Sequence, residues 1–218
     1  LITLYILAMA IATPVGGKIG DLFGRKKAII GGAGIFALGT IIAGLSPNFA
    51  GYFAGFIILG IGLGVILSLP IAMISDVTTE KEFPKMMGLY VSVNNISMLM
   101  GPLISGIITD KIGPTLVYIY LLPLGAYALW TIHKNYVEEP LSDQKPVIDY
   151  LGITFLALGA GPILLLLNLA GSSFAWLSLP SIALFLLGII FIYIFIKHEF
   201  KFKEPIIAVR LFTEKKIA

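Results

Sequence analysis

The reading turns on the stretch Gly17-Lys18-Ile19-Gly20-Asp21-Leu22-Phe23-Gly24-Arg25-Lys26-Lys27. It is a polar island between two apolar runs, 1–17 and 28–46. A connection this short makes the flanking helices antiparallel neighbours. Gly17 and Gly24 permit tight backbone turns there. Asp21, between glycines, is placed to accept hydrogen bonds near a helix N-terminus. Arg25 carries a planar fork that pairs with a carboxylate or with carbonyls at a helix end. The basic triplet Arg25-Lys26-Lys27 alone would mark only the side of a membrane. The full spacing, Gly-x-x-x-Asp-x-x-Gly-Arg-Lys-Lys, is more specific than that.

Outward from this island the chain is apolar. Of 218 residues, 58% are hydrophobic and 12% charged, and mean hydropathy is +0.98. Soluble domains carry about 25% charged residues, so an ordinary water-soluble enzyme or binding module is excluded. A net charge of +3, scattered along the chain, does not suit a nucleic-acid partner. With no cysteine there is no disulfide, zinc–thiolate site or thiol nucleophile, and two His give little material for a metal site. No cofactor is expected, and no catalytic group.

A bilayer core needs about 20 apolar residues in a helix. Seven runs meet or approach this: 1–17, 28–46, 51–75, 86–108, 114–133, 151–170 and 180–197. Helices are required because every backbone polar group in lipid needs an internal partner. The expected fold class is therefore all-α membrane protein, with seven transmembrane helices of a larger bundle. All Lys and Arg except Lys111 fall in one set of loops, so that set is cytoplasmic. The external loops 47–50, 109–113 and 171–179 are short. Segment 134–150, with Pro140 and Pro146, is the one linker. It divides the block 1–133 from a helix pair, 151–197, which is followed by a cytoplasmic segment, 198–218. The apolar start at Leu1 and the basic end read as an internal stretch of a longer membrane protein.

The spans are rich in glycine, with Gly60, Gly62 and Gly64 in the third run. Small residues let helix backbones approach closely in lipid. Pro70, Pro102, Pro123 and Pro162 suggest bends. No Asp, Glu, Lys or Arg lies well inside a span. The polar candidates are Asn94, Asn95 and Ser97 in the fourth run and Asn168 in the sixth. Such side chains serve as interhelical hydrogen-bond partners or line a cavity. Tyr90 is a further candidate cavity-lining residue, and its alternative is an interface anchor. His133 and His198, at cytoplasmic span ends, read as interfacial.

The island resembles the signature loop between helices 2 and 3 of the major facilitator superfamily. The resemblance implies a conformational latch formed by Gly17, Gly20, Asp21, Gly24, Arg25, Lys26 and Lys27. Its Asp and Arg would engage the other half of the protein and release it as the cytoplasmic side opens. Leu22 replaces a residue that is often basic, which weakens the latch. Gly101-Pro102-Leu103-Ile104-Ser105-Gly106 is similar to the antiporter motif of family helix 5, with Gly88 upstream and Ser105 in place of a Gly. It implies export. In helix 4 the Gly60-Ile61-Gly62 pair fits, but Phe56 stands where proton antiporters carry an Arg, so the resemblance does not imply the usual proton route.

Further along, Pro123 with Gly125, then Asp149-Tyr150-Leu151-Gly152, then the segment from Glu204 to Phe212 resemble the fourteen-span drug:proton antiporter branch. By that resemblance 1–133 is part of an N-terminal six-helix bundle without its first helix. Residues 151–197 are the two inserted helices, and 198–218 leads into a C-terminal bundle. The implied function is export of small amphipathic or cationic compounds from the cytoplasm across the cell membrane by alternating access. The implied coupling ion is the proton, and the implied state is a monomer in the lipid bilayer. The alternatives are a metabolite, sugar or peptide exporter or facilitator, and a membrane-embedded enzyme or sensor.

Overall fold

A computed structural model describes residues 2–113, 121–137, 148–202 and 206–207. Its helices are α1 (Ile2–Phe23), α2 (Arg25–Leu45), α3 (Phe49–Ser68), α4 (Pro70–Val77), α5 (Phe83–Ile112), α6 (Leu121–Asn135), α7 (Tyr150–Leu169) and α8 (Leu179–Glu199). Among the described residues the only β-bridge is between Ala170 and Phe174 in the α7–α8 turn. Among the described residues six stretches are long and apolar enough to cross a membrane, with α3 and α4 forming one of them. The first part of the expected run 114–133, and most of the linker 134–150, lie outside the described residues.

Two boundaries differ from the sequence reading. The island is not a loop: α1 continues through Gly17 and Gly20 to Phe23, and α2 begins at Arg25. The reversal occurs at Gly24 alone, with φ 97° and ψ 136°. That backbone is open to glycine and strained for other residues. The expected run 51–75 breaks at Leu69-Pro70, because proline lacks the N–H and its ring crowds the preceding turn. Pro102 and Pro162 are accommodated inside α5 and α7.

Helices α1, α2 and α3 form the packed centre. Its cause is the glycine pattern of α3, which serves two faces. A Cβ on Gly60 would stand 2.6 Å from the carbonyl of Tyr5, and one on Gly64 2.5 Å from that of Met9, both on α1. Gly62 presses against Phe36 of α2 in the same way, at 2.3 Å. α2 replies with Gly39, where a Cβ would lie 2.4 Å from the Leu59 nitrogen. Backbones this close gain dispersion contacts along their length, which is what holds helices together in lipid.

The α7–α8 hairpin packs on α1, and Thr3 donates a hydrogen bond to Asn168 across that contact at 3.0 Å. Asp149 caps α7 by accepting from the Gly152 nitrogen at 2.7 Å. α6 packs on α2, while α5 follows α4 and leaves most of its surface exposed.

Candidate functional site

At the basic end of the bundle the turn at Gly24 aims Arg25 across α2 towards α4. Its guanidinium pairs with Asp76, near the end of α4. It also donates to the Ala72 carbonyl at 2.8 Å and approaches Asp21, one turn back, at 3.4 Å. The Tyr136 hydroxyl donates to the second Asp76 oxygen at 2.6 Å. Lys26 donates to the Tyr136 carbonyl at 3.1 Å. One carboxylate thus gathers donors from α2 and from the chain just after α6.

Beneath this network lies an apolar cluster of Ala28, Ile29, Val65, Leu69 and Met73, with Ile132 packed against it. Gly20 makes room for Leu69, whose Cδ2 would lie 2.4 Å from a Cβ there. Gly17 meets only the Ser68 Cβ, at 3.9 Å, and makes no turn. Lys27 is exposed. The side chains of Arg25 and Asp76 are 25% and 19% exposed, whereas that of Asp21 is 60% exposed. Asp21 therefore faces outward from a network that Arg25 anchors.

Asp76 escaped the sequence reading. It stands one residue beyond the third apolar run, so a search for charges inside spans passes over it. The signal that would have found it is pairing: a half-buried Arg at a helix start needs a carboxylate at the same depth.

A second feature lies deeper. A cavity of about 870 Å³ opens between α1, α3 and α5. Tyr5, Leu63 and Leu67 form one wall, and Tyr90, Asn94 and Ser97 the other. Asn94, Asn95 and Ser97 are all exposed, but Asn95 is on a different face of α5 and does not line the cavity. Gly88, Gly101 and Gly106 have nothing within 4 Å of a Cβ position, and Ser105 donates to the Pro102 carbonyl at 3.1 Å. Among the described residues these α5 positions make no close helix contact.

Phe56 belongs to an aromatic row. Its ring is 6.3 Å from that of Tyr5, edge-on, and 4.8 Å from that of Tyr52. Tyr5 extends the row to the cavity wall.

His198 is at the end of its helix, and there its Nε2 lies 2.8 Å from Oδ1 of Asp149. The α7 cap and the α8 end converge because the two helices form a hairpin, so residues 49 apart in sequence become neighbours.

Membrane-length helices, glycine-mediated packing and a charged network at the reversal between the first two define a multi-pass membrane protein of helical-bundle type. The chain belongs to the Major Facilitator Superfamily, whose family model matches residues 1–211. It is 31% identical over 214 residues to "Multidrug resistance protein 3" of Bacillus subtilis, covering 98% of this chain and 42% of that protein. It is 30% identical to "Multidrug transporter protein MdtP" of the same organism, covering 99% of this chain and 40% of that one. "Efflux pump dotC" of Dothistroma septosporum is 29% identical, covering 95% and 37%. The chain thus spans about two fifths of the length of these relatives. Among solved structures, that of the POT family transporter PepTSo superposes with a TM-score of 0.62 at 15% identity, covering 88% of this chain and 43% of that one. This last likeness concerns the fold alone.

Proposed function

We propose that this chain is part of a multidrug-type exporter of the fourteen-span drug:proton antiporter branch. It moves small amphipathic or cationic compounds out of the cytoplasm, across the cell membrane, by alternating access. The observation that carries the reading is the cavity of about 870 Å³ bounded by Tyr90, Asn94 and Tyr5. It is mostly apolar with a few polar groups, which is the composition of a small-molecule site. The names of the relatives at 30–31% identity support the drug class.

In this reading the network around Asp76 holds α2, α4 and the end of α6 as one rigid unit on the cytoplasmic side. Asp21, the exposed member, is left to engage the opposite half of the transporter. Breaking and remaking that contact accompanies the rocking of one half against the other. Protons are the coupling ion, by a route other than residue 56, since a Phe ring carries no titratable group. The protein works as a monomer.

The test uses the full-length gene in a host stripped of its own pumps. Accumulation of a cationic dye is followed with and without a protonophore. Low accumulation that rises with protonophore is expected. Low accumulation indifferent to protonophore overturns proton coupling. No effect of the gene on a panel of cationic and amphipathic dyes overturns the drug class and leaves a metabolite exporter or facilitator.

A further inference from the structure

The α7–α8 hairpin closes on two acids. Asp149 and Glu199 are 2% and 1% exposed. Gly152 lies over both: a Cβ there would stand 2.5 Å from Oδ2 of Asp149 and 2.8 Å from Oε1 of Glu199. Only a residue without a side chain lets the two carboxyl groups share that space.

Their other bonds are settled. Asp149 Oδ1 accepts from the Gly152 nitrogen, and His198 Nε2 faces both Asp149 oxygens, at 2.8 and 2.9 Å. Glu199 Oε2 accepts from the Ile207 nitrogen at 2.9 Å. The Oε1 atom of Glu199 is buried and has no hydrogen-bond partner. The ionisable groups acting on it among the described residues are Asp149, at the head of α7, and His198, beside it on α8. α1, the other helix packed on α7, adds none to these. An ionised carboxylate with an orphaned buried oxygen beside a second carboxylate is unfavourable twice, by desolvation and by repulsion. Protonation removes both penalties, because a carboxylic acid donates where a carboxylate only accepts.

We propose that Glu199 is a proton-binding site whose Oε1–H is shared with Oδ2 of Asp149, and that losing this proton to water loosens the contact between the end of α8 and the head of α7. The contact is tight at low pH, where Glu199 holds its proton. It weakens as pH rises through the point where two carboxylates would face each other beside Gly152.

The test is an infrared titration of the full-length protein in detergent, without substrate, reading the carbonyl stretch of protonated carboxylic acids. The wild type is expected to show such a band that disappears with rising pH in a one-proton step. Glu199→Gln, which keeps the neutral shape, is expected to lack it. Asp149→Asn is expected to move the band, because its acceptor becomes a neutral amide. A wild type without a titrating band overturns the proposal whatever the variants do, and so does an unchanged band in Glu199→Gln. A spin label at the exposed position 201 (Lys201→Cys) reads the second half of the proposal. Its mobility is expected to rise with pH in the wild type and to stay constant with Glu199→Gln, and constant mobility in the wild type overturns the loosening. Neither readout involves transport, so the outcome is independent of the exporter reading.

Discussion

Arg25 and Asp76 are 51 residues apart in sequence and form an ion pair that joins the start of α2 to the end of α4. Tyr136 occupies the other oxygen of the same carboxylate. Asp76 is thereby an acceptor that two partly buried donors share, so its removal strips a contact from both.

Asp76→Asn is expected to lower the unfolding free energy by about 1.5–3 kcal/mol, the range for hydrogen bonds to charged groups. Tyr136→Phe is expected to cost about 0.5–1.5 kcal/mol. Arg25→Gln combined with Asp76→Asn should cost less than the two single changes added together, since both remove one contact. Thermal unfolding of the full-length protein in detergent measures all of these, and strict additivity would contradict the pair.

Asp21→Asn should behave differently. Its side chain is 60% exposed and touches the network only through Arg25 at 3.4 Å. Stability is expected to change by no more than about 0.5 kcal/mol, with expression intact. Efflux turnover is expected to fall. Wild-type efflux rates in this variant would sink the latch role of Asp21.

The glycines of α2 offer a contrast within one helix. Gly39→Ala pushes a methyl into the α3 backbone at Leu59, 2.4 Å away, and overpacking of this kind costs about 1–3 kcal/mol. Gly31 and Gly34 meet nothing within 4 Å. There alanine is expected to be neutral or to stabilise by about 0.5–1 kcal/mol through helix propensity. Melting temperatures of the three single variants decide it, and a similar loss at all three would refute the α2–α3 packing.

In α5, Asn94→Ala and Tyr90→Ala are expected to raise the apparent KM for transport. Loss of one hydrogen bond worth about 1 kcal/mol corresponds to about fivefold. Asn95→Ala, on a different face, is expected to leave KM unchanged. The outcome against the cavity assignment is an equal effect at Asn94 and Asn95.

Much of the architecture was legible in the chain. Apolar runs of membrane length announce helices because lipid offers the backbone no other partner. The island from Gly17 to Lys27 carried the family resemblance, and the family model covers those residues. Its conformation was less legible. Glycines at 17, 20 and 24 look alike in sequence, yet two pack inside a helix and one turns the chain. Which glycine serves which purpose depends on what stands opposite, here Ser68 for Gly17 and Leu69 for Gly20.

Hydropathy and charge bias by themselves determined that this protein is a bundle of membrane-length helices with one basic side. Those properties are sums over local residues and need no knowledge of neighbours. Tertiary structure alone decided that Asp76 is the partner of Arg25, that Phe56 meets the edge of Tyr5, and that Asp149, His198 and Glu199 meet beside Gly152. Each of these joins residues from helices that are distant in sequence. The depth and facing of a polar group are set by how helices pack, and periodicity along a single helix does not encode them.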